Sequence, residues 1–189
     1  AQSVQCQLSD GTTGNNVDIS FTGSMFVCGR SNLYDFGGVV LGDNNNALGL
    51  GQLTVVGSNN SAIDAYATAV GHANAVNGGR ATAFGVDNTN NGARALTLGS
   101  GNLVRALHAS GLGNFAVIDG VDTAASQYSI AISAGDSAAS GARIGTATGA
   151  GAQAAIAIGR NTVVSDGSSN AIALGTDAQV GENSANAVA

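Results

Sequence analysis

The sequence predicts an all-β chain coiled as a parallel β-solenoid of about 14 residues per turn. Three observations predict it. A motif of small-x-small-apolar-Gly recurs with closing glycines at Gly71, Gly85, Gly99 and Gly113, each 14 residues after the last. Its copies alternate with period two, as a strand does, and no segment shows the 3.6 period of a helix. Proline is absent, as a continuous ladder in which every rung needs its N–H requires.

Composition supports this reading and excludes others. Charged residues make up only 10% of the 189, against roughly 25% in ordinary globular domains. The 44% hydrophobic content, mostly Ala, Val, Ile and Leu, separates the chain from disordered sequences, which are poor in apolar residues. All six basic residues are Arg, and the net charge of −6 argues against binding a nucleic-acid backbone. No run of about 18 apolar residues exists to span a membrane as a helix.

Residues 1–40 do not fit the repeat and are expected to form an N-terminal cap over the solenoid edge. Short strands are expected at Ser3–Leu8, Val17–Thr22 and Met25–Cys28. Cys6 and Cys28 are either a disulfide or two buried thiols. The disulfide is expected, because the segment is small and the rest looks extracellular.

Residues 41–189 are expected to be the repeats. The segments Ala67-Thr68-Ala69-Val70-Gly71, Ala81-Thr82-Ala83-Phe84-Gly85, Ala155-Ile156-Ala157-Ile158-Gly159 and Ala171-Ile172-Ala173-Leu174-Gly175 carry Ala on one strand face. The other face carries Val70, Phe84, Leu98, Leu112, Ile158 and Leu174, with Leu96, Ile132, Ile156 and Ile172. This greasy face must be buried inside the coil or against another chain. Corner glycines and clusters such as Asp43-Asn44-Asn45-Asn46 and Asp87 to Asn91 are read as turns, where positive φ is tolerated. The rhythm breaks after Gly113, where an insertion is expected near residues 114–129 with a loop around Asp119-Gly120-Val121-Asp122. The register is expected to resume at Gly135 and Gly149, then less regularly at Gly159 and Gly175.

Five positions before successive repeat glycines stand Tyr66, Arg80, Arg94 and His108. Such a column is either a contact ladder for an acidic or aromatic ligand, or a solvated edge with its arginines paired to Asp or stacked on Tyr66. Signals for catalysis are weak, and no catalytic residue, cofactor or metal is expected. His72 and His108 lack a carboxylate and nucleophile around them. Gly135-Asp136-Ser137 lacks the trailing glycine of a nucleophile elbow. Asp87-Asn88-Thr89-Asn90-Asn91-Gly92 partly mimics a calcium loop, with Leu98 where the bidentate Glu belongs. Gly49-Leu50-Gly51 is too little for a nucleotide site.

Ser169-Asn170-Ala171-Ile172-Ala173-Leu174-Gly175-Thr176-Asp177-Ala178 and Asn183-Ser184-Ala185-Asn186-Ala187-Val188-Ala189 resemble the head repeats of YadA-like trimeric autotransporter adhesins. The resemblance covers roughly residues 38–189. It implies a left-handed parallel β-roll, a homotrimer on a bacterial outer-membrane surface, and binding to extracellular matrix, host cells or abiotic surfaces. It also implies a trimer axis lined by Val70, Phe84, Leu98, Leu112, Ile156, Ile158, Ile172 and Leu174. The cysteine-bearing N-terminus and the broken rhythm depart from the family pattern. No neck or stalk follows, so the chain is expected to be a fragment. Two other classes share stacked β-coils. One is a trimeric fibre of a phage tail or other appendage. The other is an ice-binding solenoid, which needs a longer Thr rank than Thr68 and Thr82 supply before Leu96.

Overall fold

The computed structural model describes residues 4–8, 10–18, 24–35, 37–120 and 125–189. Among the described residues alternate strands fall into two parallel eleven-stranded sheets, each following chain order, so every coil contributes one strand to each sheet. The wide sheet holds longer strands, such as Gln52–Ser58, Thr68–His72 and Thr82–Val86. The narrow sheet holds two-residue strands, such as Ala75–Val76 and Leu103–Val104. Through the middle of the chain Thr54 pairs with Thr68, Thr68 with Thr82, Thr82 with Leu96 and Leu96 with Ser110. That is the 14-residue period seen in the sequence.

The interior is filled by opposed large and small side chains. Along the wide sheet one inward column runs Val40, Val55, Ala69, Ala83, Thr97, Gly111, Ala131, Ala157 and Ala173. Facing it on the narrow sheet stand Ala47, Ala62, Val76, Asn90, Val104, Ile118, Ile144, Val164 and Val180. Where the wide sheet supplies Val the narrow sheet supplies Ala, and from the next coil the sizes exchange. Gly111 faces the larger Ile118, and a Cβ there would come within 2.7 Å of the Val104 side chain. The thickness of the roll is thus held nearly constant, which close packing of a rigid ladder demands.

The ladder crosses residue 40 without a break. Val4 pairs with Phe26, Phe26 with Val39 and Val39 with Thr54, while Val17 pairs with Leu33 and Leu33 with Asn46. The N-terminal segment therefore makes the first coils of the same roll, where a separate cap was expected. Its irregular coil lengths hid this. Of the strands expected there, Met25–Cys28 is present as such, Val4–Gln5 ends before the expected Leu8, and Val17–Asp18 is the described part of the second. Ser3 and residues 19–22 of the expected strands lie outside the described residues. Cys6 and Cys28 are joined by a disulfide, with Cα atoms 4.8 Å apart. Reducing it is expected to destabilise the first coils by about 3 kcal/mol, the chain-entropy value for its separation of 22 residues. Urea titrations with and without reductant measure this, and coincident midpoints would contradict it.

The register beyond Gly113 differs from the expected one. Gly113 pairs with Ser133, which pairs with Gly159, so Gly135 and Gly149 stand outside the ladder. Ile132 accordingly stacks between Leu112 and Ile158. The strands Ser110–Asn114 and Val117–Ile118 remain regular, so the extra chain begins only at Asp119. Further extra chain lies between Ile130–Ala134 and Arg143–Ile144, and again before Ile156–Gly159. Val121 and Asp122 of the expected loop lie outside the described residues. Asp119 anchors the loop's start: its carboxylate lies 2.9 Å from Arg105 of the previous coil and accepts the Gly120 N–H. Ser129 donates to the Ala152 carbonyl and accepts the Ala155 N–H, so one long coil is stitched to the next.

Candidate ligand and assembly surfaces

The alternation of each wide-sheet strand puts its Ala residues inside and its larger apolar residues outside. Ala67, Ala69, Ala81, Ala83, Ala155, Ala157, Ala171 and Ala173 are fully buried. One outward column runs Leu41, Val56, Val70, Phe84, Leu98, Leu112, Ile132, Ile158 and Leu174. The other runs Val39, Thr54, Thr68, Thr82, Leu96, Ser110, Ile130, Ile156 and Ile172 along the same strands. Phe84, Leu98 and Leu174 expose 40%, 47% and 62% of their surface, too much for side chains of a finished core. The threonine rank proves three residues long, since Thr54 joins Thr68 and Thr82, and it is bounded by Val39 and Leu96.

A second column lies at the corner where the narrow sheet returns to the wide one. Tyr66, Arg80, Arg94 and His108 share this corner position, and Tyr128 continues it. The Arg80, Arg94, His108 and Tyr128 amides donate to Ala65, Gly79, Ala93 and Leu107 of the preceding coil. All five have φ between 55° and 60°, a left-handed conformation costing such residues on the order of 1 kcal/mol each. At the same corner further on stand Ala154, Asn170 and Asn186. The Arg80 guanidinium lies 5.6 Å from the Tyr66 ring centre, and His108 stacks on Tyr128 at 5.1 Å. Among the described residues Arg80 and Arg94 have no ion-pair partner; the pairs present are Arg30–Asp10, Arg105–Asp119 and Arg160–Asp136.

A third feature was not anticipated from sequence. Asn16, Asn32, Asn45, Asn60, Asn74, Asn88 and Asn102 form a ladder, largely buried from Asn32 on, in which each side-chain oxygen accepts from the next asparagine's backbone and side-chain N–H groups. Within the cluster read as a turn, Asn44 does adopt positive φ, but Asn45 belongs to this ladder. The sequence signal is an Asn three residues after each corner glycine, as in Gly71 to Asn74 and Gly85 to Asn88. The ladder stops at Ala116, whose N–H is the last to donate to it.

The remaining candidates resolve into local structure. Asn88 lies in the ladder and Asn90 is buried in the core, so the residues from Asp87 to Gly92 cannot turn their oxygens toward one cation. Among the described residues no group of three or more His, Cys, Asp or Glu is placed to hold a metal ion. His72 Nδ1 lies 2.9 Å from the Ser58 hydroxyl of the neighbouring coil. Ser137 sits in a turn closed by Ser140, whose hydroxyl donates to Asp136 and holds that carboxyl below its usual range. Asp10 is likewise held low, by the Thr12 N–H and hydroxyl.

Together these features define a parallel β-solenoid with one long apolar face and one charged and aromatic corner. No protein-family model matches the chain, and no curated protein matches it. Among the described residues no helix is long and apolar enough to cross a membrane.

Proposed function

We propose that the chain is a non-catalytic head segment of a YadA-like trimeric adhesin, with three rolls joined through their wide sheets on a bacterial outer-membrane surface. The observation that supports this most is the outward face of the wide sheet. One of its columns, from Leu41 to Leu174, is apolar along nearly the whole roll, and the second becomes apolar from Ile130 on, while the inward face is already packed. Burying such a face contributes about 25 cal/mol per Å² of apolar surface removed from water. In this reading Val70, Phe84, Leu98, Leu112, Ile156, Ile158, Ile172 and Leu174 line the trimer axis. The Cys6–Cys28 bond agrees with an oxidising, extracellular setting. Attachment to matrix proteins, host cells or abiotic surfaces would then use the corners that point away from the axis, with weak contacts multiplied by valency.

The test is sedimentation of the wild type against Leu98→Asp/Leu112→Asp. A trimer that becomes a folded monomer in the variant is the expected result. A stable wild-type monomer would remove the proposal. Binding of the trimer to collagen, fibronectin, laminin and plastic then reads the attachment function.

A further inference from the structure

The corner column carries a ligand assignment. Left-handed corner positions suit Asn, which stands at Asn170 and Asn186, yet five successive coils place Tyr, Arg, Arg, His and Tyr there. Asn would meet the backbone demand of this corner with less strain, and the cation–π and stacking contacts of these side chains roughly offset that strain without explaining their exposure. Ala65, Gly79 and Ala93, one position earlier in their coils, line with Tyr66, Arg80 and Arg94 a shallow groove running along the roll. Tyr66 is 54% exposed and Tyr128 62%. Arg80 lies over the Tyr66 ring, which leaves the edge N–H groups of its guanidinium free for a carboxylate.

We propose that this groove binds a linear polysaccharide bearing a carboxylate on successive sugars, laid parallel to the roll axis. Charge together with exposed rings decides the class. Coils of a parallel ladder repeat about every 4.8 Å, so the backbones carrying Arg80 and Arg94 stand at that interval and their long side chains serve carboxylates of one polymer chain. An acidic peptide would use the arginines and leave the exposed rings idle, whereas an acidic polysaccharide also offers sugar faces to Tyr66 and Tyr128. The stacked His108–Tyr128 pair supplies an aromatic surface for a sugar face farther along the groove. Asp64, whose carboxylate accepts the Ala65 N–H and lies beside Gly79, is placed to accept a sugar hydroxyl at the other end.

The assignment deepens the attachment reading and rests on it. The experiment is biolayer interferometry of the purified chain on immobilised oligogalacturonate, heparin, polyglutamate and neutral dextran. Wild type, Arg80→Asn/Arg94→Asn and the charge-matched control Arg30→Asn/Arg160→Asn are compared. Asn suits the left-handed corner, so the test variant keeps the fold. Oligogalacturonate binding that drops at least tenfold in the test variant and persists in the control is expected. Binding to heparin alone, equal binding to polyglutamate, or equal binding by the test variant overturns the assignment. Loss of the trimer in that variant also overturns it, by making the column a contact between protomers. Wild type that adheres to matrix or plastic but ignores every polyanion removes only this ligand. Wild type that adheres to nothing removes the attachment reading itself.

Discussion

Asn74→Ala is expected to lower stability by about 4 kcal/mol, far more than its modest side chain suggests. The Asn74 amide donates to the Asn60 side chain, the Val70 carbonyl and the Gly85 carbonyl at 3.0, 3.2 and 2.8 Å. Its oxygen accepts the Asn88 backbone N–H and side-chain amide at 3.2 and 2.9 Å. Alanine removes all of these and leaves the partner groups of Asn60, Asn88 and Gly85 short of a bond in the interior. Each buried group so orphaned costs roughly 1–3 kcal/mol, and nothing nearby can turn to replace the lost amide. Asn77, whose bond to Asn91 is exposed, is the comparison. Asn77→Ala is expected to change stability by less than about 0.5–1 kcal/mol. Urea midpoints give the totals. Hydrogen exchange should show the loss concentrated in the coils around residues 60 to 102, since coils in a stack couple mainly to their neighbours. Equal effects of the two substitutions would show that the ladder contributes little.

Gly85→Ala is expected to prevent the central coils from stacking. Gly85 has φ +122°, and an added Cβ would lie 1.9 Å from the Gly99 carbonyl oxygen of the next coil. Neither atom belongs to a flexible side chain, so the coils themselves must part. Backbone strain and overpacking then add, to roughly 4 kcal/mol or more. Gly175 separates the two causes. It has φ +116° but open space where its Cβ would be, so Gly175→Ala carries strain alone, about 1–3 kcal/mol. The expected result is a folded Gly175→Ala protein and a Gly85→Ala protein that is insoluble or melts far lower by circular dichroism. Equal losses would mean that conformation, and not the approach of the coils, demands glycine here.

The corner glycines were the most legible part of the sequence. From Gly71 to Gly113 each coil has the same length, so residues that touch in the ladder recur at one interval, and their alternation showed strands with one Ala face and one greasy face. Beyond Gly113 the same ladder continues through coils of other lengths. Parallel strands register by hydrogen bonding across the coil, and extra chain added outside the sheets changes the interval without disturbing the rungs. For that reason Ser133, which lacks the motif glycine, takes a rung, and Gly135, which looks like a motif glycine, does not. The N-terminal coils were hidden in the same way. The Asn ladder was hidden for another reason: an Asn beside a glycine reads as a turn, and its burial follows only once neighbouring coils stack.

The residues alone therefore specified the strand type, the period and the two unlike faces, because these are local properties of side-chain size and alternation. That the Ala face turns inward and the greasy face outward was expected only through the family resemblance, since apolar residues by themselves accept either a core or a partner. Stacking two sheets resolves it. The interval between them is filled by Ala against Val or Ile, so the larger wide-sheet side chains from Val70 onward must point out, and the corner residues are drawn into a single line along the roll.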